Sequence, residues 1–136
     1  MKQVLKLIPI LLILFLIGSG CHKEEPLETD PAKIIIGKWK MIKKGNGNNL
    51  DIIDPPLGYL EFLKDSIGQF YDYEIKEFSS RKYWIDTLLH YVIFLPNNKS
   101  LQIDYSFEFK AKNTEMYLEH RNFNAWYNTM IYKRIN

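Results

Sequence analysis

Residues 101–110 read Leu-Gln-Ile-Asp-Tyr-Ser-Phe-Glu-Phe-Lys. Leu101, Ile103, Tyr105, Phe107 and Phe109 alternate strictly with Gln102, Asp104, Ser106, Glu108 and Lys110. Successive side chains of a strand point to opposite faces, so this period of two predicts a strand with one buried and one wet face. A helix would place these residues all round its circumference.

The rest of the chain supports the same class. Ile34–Lys43 is the first strand candidate, with Gly37, Trp39 and Met41 on one face. Residues 45–49 read Gly-Asn-Gly-Asn-Asn, which predicts a loop, prolonged by Asp54-Pro55-Pro56. Leu57–Leu63 is the second strand. Gln69–Phe78 is the third, with Tyr71, Tyr73 and Ile75 opposite Asp72, Glu74 and Lys76. Ser79-Ser80-Arg81 reads as a turn and Lys82–Asp86 as a short fourth strand. Leu88–Leu95 is the most apolar run, with little alternation, which predicts a fifth strand covered on both faces. Pro96-Asn97-Asn98-Lys99 is a turn signal. After Leu101–Lys110 come strands at Glu115–His120 and Trp126–Ile135. Eight short strands without a helix of adequate period predict an all-β domain. An antiparallel up-and-down barrel is the expected form, because closure removes exposed edges.

The first twenty residues follow a different logic. Lys2 and Lys6 precede an apolar run from Leu7 to Ile17, interrupted by Pro9. The run is short of the roughly 20 residues of a membrane-spanning helix and suits a secretory signal. Gly18-Ser19-Gly20 then lead into Cys21, the one cysteine of the chain. This order resembles the lipobox of bacterial lipoproteins, with Gly18 where that family prefers Leu. The resemblance implies cleavage before Cys21, acylation of its thiol, and anchoring to a membrane by two or more acyl chains. His22-Lys23-Glu24-Glu25 resembles the export signal of surface lipoproteins in Bacteroidota-type bacteria. The expected location is therefore the bacterial cell envelope, lipid-anchored at the outer membrane. Surface-exposed and periplasm-facing display both stay open. The expected organisation is a signal peptide over 1–20, a lipidated tether over 21–33 and a barrel domain over 34–136.

Charge and cysteine use exclude several functions. Loss of Lys2 and Lys6 with the signal leaves 18 basic residues less two, equal to the 16 acidic ones. No basic block stands out, so nucleic acid is not an expected partner. Acylated Cys21 leaves no thiol for a disulfide, a nucleophile or a metal. His22, His90 and His120 lack metal-ligand spacing, and neither a metal nor a cofactor is expected. His90 reads as an interior polar group of the fifth strand, and His120 with Glu119 as a strand end. The carboxylate pairs Asp72/Glu74 and Asp104/Glu108 fall opposite the aromatic rows, which suits a solvated face better than acid–base work. No serine sits in a nucleophile elbow, and residues 45–47 lack the strand–helix setting of a phosphate loop. Enzymatic activity is not expected.

Aromatics make up 15% of the chain. Tyr71, Tyr73, Tyr105, Phe107 and Phe109 are the expected inward row. Either they pack a small barrel solid, or they line a cavity for an apolar molecule with tyrosine hydroxyls as polar contacts. The loop from Gly45 to Pro56 is the expected mouth, and Phe123, Trp126 and Tyr127 a rim. Gly37-Lys38-Trp39 at the start and Lys133-Arg134 in the last strand resemble the calycin superfamily, specifically lipocalin-like domains of bacterial lipoproteins. That resemblance implies that Trp39 and Arg134 close the barrel floor by cation–π stacking and hydrogen bonds. It also implies a small hydrophobic ligand inside the barrel. A protein partner in the envelope, met by a filled barrel, is the other expectation.

Overall fold

A computed structural model describes residues 26–94, 103–121 and 128–135. Cys21, His22, the turn at 96–99, Leu101, Phe123, Trp126 and Tyr127 lie outside the described residues. The described chain holds one helical turn, α1 (Pro31–Ile34), and nine strands. These are β1 (Gly37–Asn46), β2 (Asn49–Ile52), β3 (Gly58–Phe62), β4 (Ile67–Asp72) and β5 (Phe78–Asp86). β6 (Tyr91–Phe94), β7 (Ile103–Lys110), β8 (Glu115–His120) and β9 (Thr129–Ile135) follow. The sheet order is β2-β1-β3-β4-β5-β6-β7-β8-β9, and β1 also pairs with β9. All neighbours are antiparallel, so β1 and β3–β9 close an eight-stranded up-and-down barrel. β2 is an extra strand on the free part of β1. Every pairing and every core residue among the described residues falls between Ile34 and Ile135. This segment therefore closes its own sheet around its own core.

The chain enters differently from the alternation. Asp30 accepts from the Ala32 amide at 3.0 Å and caps α1, with Pro31 in the first turn. A short polar side chain before proline is a helix start signal. The turn buries Ile34 and Ile35 instead of extending them as strand. Gly37, at φ +122°, then swings the chain into β1. A Cβ there would meet Arg134 Nη1 at 2.9 Å, so the guanidinium needs a glycine beside it.

Two aspartates place turns where the sequence reads as strand. Asp72 Oδ1 accepts from the amides of Glu74 (2.8 Å) and Ile75 (3.2 Å), and Lys76 takes φ +56°. β4 therefore ends at Asp72, and residues 79–81 are strand, not turn. Asp86 Oδ1 does the same with the amides of Leu88 and Leu89, both at 2.9 Å, and His90 takes φ +56°. An aspartate that binds amides two and three residues on competes directly with the sheet ladder. The fifth-strand run thus begins at Tyr91. Leu88 is 91% exposed, not covered on both faces. His90 is exposed on this turn, its ring stacked 5.6 Å from Phe107, rather than an interior group. The glycine-rich stretch after Lys44 is also sheet. β1 and β2 form a hairpin with Asn46 opposite Asn49 around Gly47-Asn48, Gly47 having φ +57°.

Inside the barrel the largest fully buried side chains are Trp39, Phe62, Ile35, Met116, Leu118 and Val92. They gather towards the end where β1 begins and β9 stops.

Candidate functional site

The barrel interior has two unlike halves. At the floor, Trp39 and Arg134 face each other directly across β1 and β9. The guanidinium carbon stands 4.2 Å over the indole ring. Trp39 Nε1 donates to the Ile35 carbonyl at 2.8 Å. Arg134 donates from Nη1 to Ile36 O (2.9 Å), from Nε to Asn113 O (3.2 Å) and from Nη2 to Ile34 O. Burial lowers the pKa of Arg134, and these carbonyls with the indole face compensate the buried charge. Phe109 packs at 5.8 Å from Trp39 and 5.4 Å from Phe107. Phe107 is 5% exposed. Phe107 and Phe109 therefore build the floor and do not line the cavity above it. Tyr83 seals the neighbouring corner, with its ring 5.0 Å from Phe62 and its hydroxyl donating to Leu63 O at 3.0 Å.

Above this floor lies a cavity of about 240 Å³. Leu60, Phe70, Phe94, Ile103, Leu118 and Met130 supply its apolar wall, and Ser79, Arg81, Tyr105 and Tyr132 its polar groups. Within this wall the Phe94 ring settles against Gly68, which carries no side chain. A Cβ there would meet Phe94 Cε1 at 2.9 Å. Tyr132 is 7% exposed, and among the described residues its hydroxyl donates to the Met130 thioether at 3.7 Å, a weak acceptor. Burial raises the pKa of both Tyr132 and Tyr105. The positive charge of Arg81 opposes the rise at Tyr105, so the guanidinium lies within electrostatic reach of that hydroxyl. His120 closes over Tyr105 edge-on, 5.0 Å between ring centres at 87°.

Of the expected inward row, Tyr105 lines the cavity and Tyr71 and Tyr73 do not. In β4 the inward positions are Gly68 and Phe70, and Phe70 pairs with the core residue Leu60. Tyr71 pairs with Tyr59 on the outside, and Tyr73 sits in the turn after β4. The apolar look of Tyr71, Tyr73 and Ile75 comes from an outer aromatic cluster. Tyr71 lies 5.3 Å from Tyr59, 5.7 Å from Tyr73 and 4.7 Å from Phe78. Lys38 Nζ stands 5.0 Å over the Tyr59 ring. Tyr73 and Phe78 are 43% and 55% exposed.

Sequence reasoning missed Phe70, Ser79, Arg81, Phe94 and Tyr132. The signal for Arg81 was present: Ser79, Arg81, Tyr83 and Ile85 keep one parity along β5, and Tyr83 is core. Reading 79–81 as a turn hid it.

The carboxylates stand apart from this cavity. Asp72 serves its turn, Asp104 lies 4.0 Å from Arg121, and Glu108 pairs with Lys110 at 3.0 Å. Glu119 and His120, adjacent in β8, take opposite faces of the sheet. A second hollow of about 310 Å³ runs past Tyr91, Ser106, Glu119 and Arg121. There Arg121 stacks on Tyr91 at 4.0 Å as well as meeting Asp104, so its charge is already occupied. Among the described residues, no three His, Cys, Asp or Glu side chains come together as a metal site. The loop expected as a mouth, 45–56, is the β1–β2 hairpin and its exit, which holds Asn128 through Asn46 Oδ1 at 3.1 Å. Compared with protein-family models and with curated proteins, the chain matches none.

Proposed function

We propose that the protein is a membrane-anchored, lipocalin-like lipoprotein of the bacterial cell envelope that holds a small apolar ligand in its barrel without changing it. The cavity of about 240 Å³ above a sealed floor is the observation that supports the reading. The space is several times the volume of a water molecule and opens to solvent beside the exposed Ser79 and Arg81. It falls just below the roughly 300–1,000 Å³ of pockets for drug-sized ligands, so the occupant is small. A wall of six apolar side chains with four polar ones suits binding and orientation better than bond making. The anchor rests on Cys21 and the residues before it.

Native mass spectrometry of residues 26–136, purified without detergent, tests the cavity. A bound small molecule, or uptake of an added apolar probe, is expected. Ser79→Trp, which fills the exposed mouth and leaves the core alone, should abolish it. A bare folded barrel that takes up nothing removes this reading. The outer cluster of Tyr59, Tyr71, Tyr73 and Phe78 then favours a second one, a protein-interaction or inhibitory module of the envelope, sought by crosslinking through that face. Loss of radiolabelled fatty acid from the chain on Cys21→Ser tests the anchor separately.

A further inference from the structure

Two arginines lie on the inward side of the barrel, and among the described residues only Arg134 is spoken for. Arg134 spends its donors on three carbonyls and its face on Trp39. Arg81 lines the cavity, yet among the described residues no carboxylate lies within 4.0 Å of it and no carbonyl accepts from it. The cavity's other polar groups are in the same condition. Tyr132, buried, has among the described residues a thioether for its hydroxyl proton. No described residue accepts from the Tyr105 hydroxyl.

These groups share one chemical sense, because each has a proton to give. A purely apolar occupant would cover two tyrosine hydroxyls and a guanidinium and offer them nothing, which is costly for buried donors. An occupant with a cationic head would face Arg81 with like charge. What fits is a molecule with acceptors at one end and hydrocarbon at the other. The planar fork of an arginine matches the oxygens of a carboxylate or a phosphate. Phe70 and Phe94 stand beside Arg81, next to its partner Gly68, and Leu118 and Met130 on β8 and β9 continue the apolar wall away from it. At interior packing density, about 240 Å³ takes on the order of ten non-hydrogen atoms.

We propose that the ligand of this barrel is a small amphipathic acid, its anionic head held by Arg81 at the mouth and by the inner hydroxyls of Tyr105 and Tyr132, and its hydrocarbon body against the apolar wall of the cavity. This rests on the reading of the barrel as a binding protein and narrows it to one ligand class. The head group is an oxyanion, borne either by a free carboxylic acid or by a phosphate such as a lipid carries.

The test is calorimetric titration of residues 26–136 with three probes that share a ten-carbon tail: decanoate, decyl phosphate and 1-decanol. Both acids, or one of them, should bind about ten-fold more tightly than the alcohol, the size of one charge-assisted hydrogen bond. Arg81→Gln should bring the acids down to the level of the alcohol and leave the alcohol unchanged. The tighter of the two acids tells a carboxylate from a phosphate head. Equal binding of acid and alcohol, or an acid preference that survives Arg81→Gln, overturns the inference while the cavity reading stands. Binding of none of the three removes the cavity reading itself and this inference with it.

Discussion

Arg134 and Arg81 occupy opposite ends of one barrel interior, and the molecule treats them in opposite ways. Arg134 is held at the floor by the carbonyls of Ile34, Ile36 and Asn113 and by the Trp39 ring. Arg81 sits at the rim of the cavity without a described partner. Residue type does not separate them, nor does strand parity. What separates them is whether the fold itself answers the group's hydrogen-bonding capacity. A cation whose donors are all met by backbone is part of the architecture. A cation left open beside a cavity is available to something that arrives later.

The floor should therefore be the costliest place to disturb. Trp39, on β1, is wholly buried and joins the end of α1, β9 and β7 through Ile35, Arg134 and Phe109. Trp39→Ala should destabilise the barrel by about 3–5 kcal/mol, read from the midpoint of urea unfolding. A loss near that of a surface substitution would break the comparison at its strong end. Arg134→Gln comes next. It strips donors from three carbonyls and the cation from the indole, and about 2–3 kcal/mol should go with them. Arg134→Lys should recover little of it, because an ammonium cannot reach three carbonyls in a plane. Full rescue by lysine would mean that charge alone matters there.

The boundary between the halves should show in alkali. Burial holds the pKa of Tyr132 above its ordinary value, and burial raises Tyr83 and Tyr105 in the same direction. The unfolded chain keeps the ordinary value near 10, so above that pH it gives up protons that the folded chain retains. Stability is thus full below about pH 10 and falls as pH climbs towards the raised values, by up to ~1.4 kcal/mol per pH unit for Tyr132. Tyr132→Phe should flatten that decline, measured as urea midpoints from pH 8 to 11. An unchanged slope would show that the hydroxyl is not the buried acid.

How far the sequence announced these regions depended on the kind of interaction. The alternation of β7 is a long-range demand of the core, and it placed Tyr105, Phe107 and Phe109 inward. Asp72 and Asp86 act locally and look like ordinary wet-face residues until their side chains are seen on the amides ahead. Their two turns cost the reading most. They moved Tyr71 and Tyr73 to the outside, His90 to a turn, and Arg81 from an apparent turn into the barrel. Tyr71 and Tyr73 look like a buried row because the outer face of β3–β5 is itself aromatic. Alternation shows that two faces differ, not which of them is inside, when both carry rings. The cavity was illegible for a further reason. Its apolar wall is drawn from six strands, with Phe94 seated where Gly68 has no Cβ, and no pattern in one strand records what its neighbours leave empty.

The smallest expected effect is the most telling one. Arg81→Gln should change the unfolding free energy by no more than about 0.5 kcal/mol, as for a surface side chain away from any network. The residue is exposed at the mouth and has no described partner to lose. The same substitution at Arg134 should cost several times more, in the same barrel and measured in the same way. If Arg81→Gln proves as damaging as Arg134→Gln, the rim arginine holds up the fold and the contrast between the two ends collapses. If it is neutral for stability, the guanidinium at the mouth has no structural task, as expected of a group left open to a ligand.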